Sequence, residues 1–379
     1  MANVLTTVIP KLLAQGLLAL RENAVMPRLV NNDYSALAAQ RGDVINVPIP
    51  SAVTAMAVTA AINVPANADQ TPTVAQINLN NWWEAPFHMS DKDMKEAMSG
   101  FIPMQASEAI KALANKIDQQ IMSLYKKVYG FSGTVGTTPF SASVAEATEA
   151  RKVLNNQLCP MDNRRMMIDP NAEANALGLR AFQDMSFSGS AQGIQEGMIN
   201  RKLGFDWFMD QNAPTHLNGA QDGAYTVNGV NALGSTSLVV QAGTGALKEG
   251  DTFTIAGDTQ TYIVAADYVG GAGTVTIAPG LKVATGGAEV ITFKGILSTT
   301  YEQNLAFHRD AFAFASRPLT DVGTGLGSII QAAVDPVSGL TLRLEVSRQY
   351  KQTRFSYDIL YGYACVRPEL ACRIWGATV

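Results

Sequence analysis

Charged residues are scarce in this 379-residue chain. Asp, Glu, Lys and Arg make up 16% of it, against about 25% in an average globular protein. The formal net charge is −4, so the excess of Lys and Arg that a dedicated DNA-binding protein needs is missing. Because the charges are few and nearly balanced, the composition suits a surface that packs against identical copies without strong repulsion.

Long hydrophobic runs are also absent. The sequence has no stretch of about 18 uninterrupted apolar residues, the length that a membrane-spanning helix requires. The apolar N-terminal stretch LTTVIPKLLAQGLLAL carries one positive charge, Lys11, and no clear small-residue cleavage site follows it. We interpret it as an amphipathic arm helix from about Pro10 to Glu22, with a signal peptide as the alternative. No membrane partner is expected.

Cysteine and histidine are too few to indicate a site. The chain has three of each: Cys159, Cys365 and Cys372, and His88, His216 and His308. The cysteines are too scattered for a disulfide framework or a zinc site, so we interpret them as buried free thiols. Cys365 and Cys372 lie on either side of an Arg-Pro turn, a position that allows them to be neighbours in space. No histidine stands at metal-ligand spacing from a cysteine or carboxylate. No GKS/T phosphate loop and no GxSxG motif occurs. We therefore predict a non-enzyme with no catalytic residue, cofactor or metal.

Lysine and arginine are missing altogether between Gly42 and Asp91. The segment alternates apolar with small polar residues (VINVPIPSAVTAMAVTAAINVPANADQTPTVAQINL) and is interrupted by Pro48, Pro50, Pro65 and Pro72. Since proline lacks a ladder donor and fixes φ, the pattern predicts an extended two-stranded ribbon. An isolated hairpin is marginal in water, so we expect the ribbon to lie across a neighbouring copy of the chain. The residues expected to make this contact are Val53, Thr54, Met56, Val58, Ile62, Val64 and Pro65.

A long amphipathic helix is predicted after the ribbon. Residues 90–98 (SDKDMKEAM) have the acidic first turn of a helix start, and Pro103 begins a second, longer segment. Apolar residues then recur at steps of three and four: Ile110, Leu113, Ile117, Ile121, Leu124 and Val128. Gly130 stands where a left-handed helix stop belongs. The resulting helix would have roughly 25 residues and span nearly 40 Å.

Two groups of side chains near this helix leave alternatives open. Four lysines lie off the apolar stripe: Lys111, Lys116, Lys126 and Lys127. They form either a solvated face or a contact with nucleic acid or a basic-patch partner. Trp82 and Trp83 precede the helix without flanking basic residues, which favours core packing where ribbon meets helix over stacking on a base or sugar.

The rest of the chain changes character twice. Residues 131–220 mix helix with short strand, including a buried strand at Arg164–Ile168 that Asp169-Pro170 ends. From about 222 to 295 the sequence is rich in Gly, Thr and Val, with the runs SLVVQA, DTFTIAG, TYIVAADY, TVTIAP and EVITFKG. These predict a small antiparallel barrel or sandwich inserted into a mixed domain. Residues 341–375 alternate strongly and predict terminal strands.

In this order of parts, the chain resembles the major capsid (coat) proteins of tailed bacteriophages, most closely the podovirus coat branch with an inserted β domain. LKEGDTFTIAG at Leu247–Gly257, followed by TVTIAPGL, resembles that insertion. FSYDILYGYACVRPELACRIWG resembles the family's final strand and its turn, here Arg367, Pro368 and Glu369. The resemblance implies an α+β fold with these parts: N-terminal arm 1–41, extended loop 42–91, spine helix and peripheral domain 92–130, axial domain 131–221 and 297–330, inserted β domain 222–296, and peripheral strands 331–379.

The resemblance also implies a function. Copies of the chain would form hexamers and pentamers and close into an icosahedral shell around weakly bound double-stranded DNA. Some relatives crosslink a loop lysine to a neighbour, but the Gly42–Asp91 segment has no lysine, so noncovalent contacts are expected. A separate scaffolding protein and a portal are expected partners, with a decoration protein as a further candidate. Shell expansion would bend the spine helix at hinges near Ser99, Gly100 and Gly130. The shell would assemble in the host cytoplasm and belong to the virion.

Three other functions also fit parts of this sequence. The β insertion also suits a phage tail, fibre or carbohydrate-binding module, and the shell fold also occurs in encapsulin-like bacterial compartments. A hydrolase is the weakest alternative, because no cluster of titratable groups is visible in the sequence. The long helix disfavours a tail, fibre or carbohydrate-binding module, and the β insertion disfavours an encapsulin-like compartment.

Overall fold

A computed structural model of the chain describes residues 24–34, 44–50, 72–92, 101–184, 195–221, 224–319, 328–334 and 340–379, with isolated residues within 12–20 and 53–60. The helices are α1 (Met26–Leu29), α2 (Phe101–Met122), α3 (Ala145–Asn156), α4 (Pro170–Gly178) and α5 (Arg180–Gln183). Short 3-10 segments run over Ser123–Lys127, Arg309–Ala311 and Pro368–Leu370. Within the described ranges, no helix has the length and apolar character needed to cross a bilayer.

Helix α2 is the long helix that the apolar stripe predicts. Ile110, Leu113, Ile117 and Ile121 are all buried, because their spacing places them on one face. The helix does not continue to residue 130. It tightens into the 3-10 segment after Met122 and ends in extended backbone at Val128.

The prediction of a left-handed stop at Gly130 is wrong. Gly130 does not have positive φ and is the first residue of strand β4 (Gly130–Ser132). A Cβ at Gly130 would lie 3.0 Å from the carbonyl oxygen of Ala371 and from the Val153 side chain. The glycine is therefore required by close packing in a sheet and not by a helix cap. Whether it acts as a hinge stays a prediction.

A seven-stranded sheet forms one half of the body. Its order is β4, β20 (Ala371–Thr378), β15 (Thr300–His308), β5 (Arg164–Ile168), β7 (Phe205–Met209) and β6 (Arg201–Lys202), and β8 (Thr215–Leu217) also pairs with β15. The β4–β20 and β5–β7 pairs are parallel, and the remaining pairs are antiparallel. The central strands β15 and β5 are buried along most of their length, and buried polar side chains such as Gln303, Asn304 and Arg164 interrupt their apolar residues.

A five-stranded antiparallel sheet forms the other half. Its order is β16 (Phe312–Arg317), β19 (Gln352–Cys365), β18 (Thr341–Gln349) and β17 (Ser328–Val334), and β3 (Asn81–Ser90) also pairs with β19. One hydrophobic cluster contains Ile117 of α2, Phe307 of β15 and Tyr357 of β19. The helix and both sheets therefore share a single core.

The expected boundaries of the extended loop, the axial domain and the peripheral strands do not coincide with these sheets. β3 lies in the expected ribbon interval, and β16 and the first three residues of β17 lie in the expected axial interval 297–330, but all three strands belong to the five-stranded sheet. The interval 331–379 is also divided between the sheets, since β19 lies in the five-stranded sheet and β20 in the seven-stranded sheet. The backbone amides of Val366 and Arg367 both donate to the carbonyl of Ala311, and the 3-10 turn at Pro368–Leu370 then carries the chain across to the second sheet.

The inserted region forms a barrel of its own. Its antiparallel order is β14 (Ile291–Phe293), β11 (Thr252–Ile255), β12 (Thr261–Val264), β13 (Gly273–Ala278), β10 (Ser237–Gln241) and β9 (Thr226–Val227). The backbone amide of Ile291 donates to the carbonyl of Tyr225, and the amide of Val227 donates to the carbonyl of Glu289. These hydrogen bonds join the two edges of the sheet and close it into a barrel. A separate hydrophobic cluster, which includes Phe253 and Tyr262, fills the interior.

A buried carboxylate attaches the N-terminal segment to α2. Asp118 Oδ2 accepts a hydrogen bond from the backbone amide of Val25 at 3.0 Å, and Oδ1 accepts one from Met26 at 3.0 Å. Burial, and secondarily the nearby Asp210, raises the pKa of Asp118 to about 7. The start of α1 is therefore fixed to α2 about one turn before the C-terminal end of that helix.

Candidate inter-subunit surface

The root of the predicted ribbon is a two-stranded sheet. Strands β1 (Val44–Ile49) and β2 (Thr73–Asn78) pair antiparallel from Val44↔Asn78 to Ile49↔Thr73. Ile45, Val47 and Ile77 point inward and pack with residues of β16 in a small cluster at the base. Because strand residues alternate between faces, Val44 and Val74 point outward and are exposed. The root is therefore anchored to its own body by one face only.

Beyond the root, the ribbon exposes apolar side chains. Val53 is 71% exposed and Val58 is 99% exposed. The other five residues predicted to contact a neighbour lie outside the described residues: Thr54, Met56, Ile62, Val64 and Pro65. The same holds for the predicted hinge residues Ser99 and Gly100.

Strand β3 presents two tryptophans at the edge of the five-stranded sheet. Trp82 is 62% exposed and Trp83 is 39% exposed, on opposite faces of the strand. The expectation that they pack in the core is wrong, because in the described part of the chain β3 pairs with β19 alone and leaves its outer edge open. An open edge with apolar side chains is the kind of surface that natural proteins cover with another element or chain.

Charged partners hold this edge in place. The Trp82 Nε1–H donates to Asp358 Oδ2 at 2.9 Å, and Asp358 also accepts from Arg343 Nε at 2.9 Å. On the other face, the ammonium of Lys116 lies 4.3 Å from the centre of the Trp83 ring, a cation–π contact that links β3 to α2. The edge is thus a fixed surface and not a loose strand.

The four lysines of the helix region do not form a free basic patch. Lys126 and Lys127 lie 3.8 and 3.2 Å from the carboxylate of Glu249 in the barrel. Lys111 pairs with Glu108 at 2.8 Å, and Lys116 lies over Trp83. Glu108 and Glu249 offset at most two of the four lysine charges, and the side chains of Lys111 and Lys127 remain 49% and 51% exposed, so the solvated face that the sequence suggested is partly paired but not removed.

The described residues contain no group of three or more potential metal-binding His, Cys, Asp or Glu side chains. His308 Nδ1 accepts from the backbone amide of Asp310 at 3.2 Å, and burial lowers the pKa of both His308 and His216. All three cysteines are free, and burial raises the pKa of Cys365 to about 12. These groups have structural partners and do not converge on a reactive arrangement.

Sequence reasoning missed the role of Asp118 and the open edge of β3. The signal for Asp118 was available, because it lies four residues after Ala114 and four before Met122, both buried. A carboxylate on the buried face of a helix needs a buried partner. The edge position of β3 had no comparable signal, since it depends on which strands pair.

Sequence comparisons give no match, whereas structural comparisons do. No family model and no curated protein matches the sequence. A chain of Mycobacterium phage Che8 superimposes with a TM-score of 0.53 at 16% identity, over 93% of this chain and 90% of that one. The capsid structure of the Cyanophage P-SCSP1u gives 0.48 at 14% identity, over 94% and 89%, and a virus-like particle from Pyrococcus furiosus gives 0.46 at 8%, over 96% and 98%. The fold assignment depends on the Che8 chain alone. At the level of fold, the predicted α+β architecture and likeness to phage proteins are confirmed.

Proposed function

We propose that this chain is the major capsid protein of a tailed phage, which self-assembles into an icosahedral shell around double-stranded DNA. The fold that it shares with the Che8 chain supports this function. The observation that carries it is the ribbon: anchored to its own body at the root, it exposes Val53 and Val58 to solvent. An element of this kind gains its stabilisation by lying on another subunit.

The exposed valines supply a contact of suitable strength. Burying one valine side chain yields about 1.5–3 kcal/mol, so a few of them give a weak contact that can dissociate and correct errors. Repeated around a ring and between rings, the same contact becomes collectively strong. Hexamers and pentamers held by noncovalent ribbon contacts are part of this proposal, with the remaining predicted contact residues at the same interface.

The wider assignment also belongs to this proposal. A scaffolding protein, a portal and a decoration protein are the proposed partners, and the virion is the proposed location after assembly in the host cytoplasm. The net charge of −4 supports an inner surface to which packaged DNA does not adhere strongly. The barrel serves as the inserted domain, 222–296, and Ser99, Gly100 and Gly130 are the proposed hinges of expansion.

The test introduces charge on the ribbon. The double variant Val53→Asp and Val58→Asp is compared with the double variant Val230→Asp and Val269→Asp, which places the same two charges on valines of the barrel region that are 79% and 90% exposed. We expect all variants to fold with unchanged circular dichroism, since the altered side chains are exposed. Only the ribbon variant should fail to form rings or shells in size exclusion and electron microscopy.

Two results would contradict the proposal. Closed shells from the double ribbon variant would show that the ribbon does not make the assembly contact. A wild-type protein that stays at about 40 kDa and binds glycans would instead support the tail or carbohydrate-binding alternative. Nuclease-resistant double-stranded DNA inside particles purified from infected cells separates a phage shell from a bacterial compartment.

A further inference from the structure

A buried polar junction lies where the barrel joins the body. At its centre is Asp251, on the barrel side of the junction, which is almost fully buried. Its Oδ1 accepts from His216 Nε2 at 2.9 Å, and its Oδ2 accepts from the backbone amides of Gly219 at 3.1 Å and Lys248 at 2.8 Å. The carboxylate therefore links the segment at Gly219, where the chain leaves the body, to the barrel turn at Lys248.

His216 extends the junction to the end of the long helix. It belongs to β8 of the seven-stranded sheet, and its Nδ1 lies 3.0 Å from the hydroxyl of Tyr125 in the 3-10 segment. Burial lowers the pKa of His216, which keeps the ring neutral. With Nε2–H donating to Asp251, Nδ1 is the acceptor and the Tyr125 O–H is the donor. A continuous chain of hydrogen bonds thus runs from helix end to barrel.

Arg373 of β20 provides a second link. Its guanidinium is fully buried between the rings of Tyr125 and Trp375, at 5.2 and 5.3 Å. Nη1 donates to the carbonyl oxygen of Gly250 in the barrel turn at 2.6 Å, and Nε donates to Gln303 at 2.9 Å. Removing either end of such a contact would leave a buried charge or carbonyl without its partner.

The backbone at this point leaves no free space. Gly250 has φ +97°, and a Cβ there would lie 3.2 Å from His216 Cε1 and 3.3 Å from Lys126 Cα. A Cβ at Gly219 would lie 2.4 Å from the carbonyl oxygen of Ala246. Domains inserted by two connections normally move relative to their host, but here the connection is packed and hydrogen-bonded on several sides.

We propose that this junction locks the inserted barrel to the 3-10 end of the long helix, so that the two move as one rigid body. The consequence is specific: a rotation or bend of the helix end carries the barrel with it through Tyr125, His216, Asp251 and Arg373. The surface ion pairs of Glu249 with Lys126 and Lys127 lie beside the lock but are exposed, and exposed pairs contribute little.

The test measures the distance between helix and barrel in the unassembled full-length chain. Spin labels are placed at Ala112→Cys on α2 and Val269→Cys in the barrel region, both exposed positions, in a background with the native cysteines replaced by alanine. We expect one narrow distance distribution. Asp251→Asn should broaden it, because the amide cannot accept all of the hydrogen bonds that converge on the carboxylate.

Matched variants keep the test decisive. Glu249→Gln removes only the exposed ion pairs and should leave the distribution narrow. Tyr125→Phe removes a single hydroxyl without changing volume and should broaden it, which covers the case in which Asp251→Asn fails to fold. A broad distribution in the parent protein, or a narrow one in both Asp251→Asn and Tyr125→Phe, would overturn the proposal. Since no assembly is required, the result is independent of the proposed shell function.

Discussion

The stability of the subunit should depend on pH through Asp118, and Asp118→Asn should remove that dependence. The carboxylate is almost completely buried and accepts two backbone hydrogen bonds from the start of α1. Desolvation, and secondarily Asp210, raises its pKa from 3.8 to about 7, while the two hydrogen bonds and Arg28 oppose the shift. The folded protein therefore holds a proton on this group at a pH where the unfolded chain has lost it.

The direction and size of this pH dependence follow from the linkage between proton binding and unfolding. Between about pH 4 and pH 7 the folded state binds more protons than the unfolded state, so the free energy of unfolding falls as the pH rises. A pKa of about 7 in place of 3.8 corresponds to about 4 kcal/mol in total, at about 1.4 kcal/mol per pH unit. The contribution is fully present below pH 4 and is lost above pH 7.

The assay is urea unfolding of unassembled subunits, followed by tryptophan fluorescence at several pH values between 5 and 8. The quantity of interest is the unfolding free energy of the wild type minus that of Asp118→Asn, because other titrating groups cancel in this difference. We expect it to fall by up to about 1.4 kcal/mol per pH unit as the pH rises. Ile110→Val, which changes the same helix two turns away without adding or removing a titratable group, should give a difference that does not change with pH.

A flat difference for Asp118→Asn would refute this reasoning. It would mean that the two amide hydrogen bonds compensate for burial and leave Asp118 with an ordinary pKa. A difference that rises with pH would show the opposite case, a carboxylate whose charged form the fold stabilises. Either result would change the picture of how the N-terminal segment is held on α2.

Three further results are expected. Ile117→Ala should lower the free energy of unfolding by about 2–5 kcal/mol, since it empties a fully buried position in the shared core, as measured by urea titration. Gly250→Ala should lower the free energy of unfolding by more than Gly257→Ala, as measured by thermal unfolding of the two variants. Both glycines have positive φ, but only Gly250 has close neighbours, so the comparison separates backbone strain from steric contact. Cys159 and Cys372, which are both buried, should resist a thiol reagent at pH 8 until the protein is unfolded, because burial blocks access to them and raises both pKa values.

Local periodicity predicted the elements of this fold but not their partners. The stripe from Ile110 to Ile121 identified α2, and the run of residues 164–168 identified β5, since both patterns report burial directly. The sheet to which β20 belongs was not predictable from the sequence, because β19 and β20 are both buried along most of their length and neither pattern indicates which sheet receives the strand.

The candidate surface was predictable to a similar extent. The absence of lysine and arginine pointed to the ribbon; Val53 and Val58 are exposed, and their role in contact stays a prediction. Trp82 and Trp83 were assigned to the core because large aromatic residues are usually buried. Their exposure depends on β3 being an edge strand, and the edge depends on long-range pairing with β19 that no local window contains.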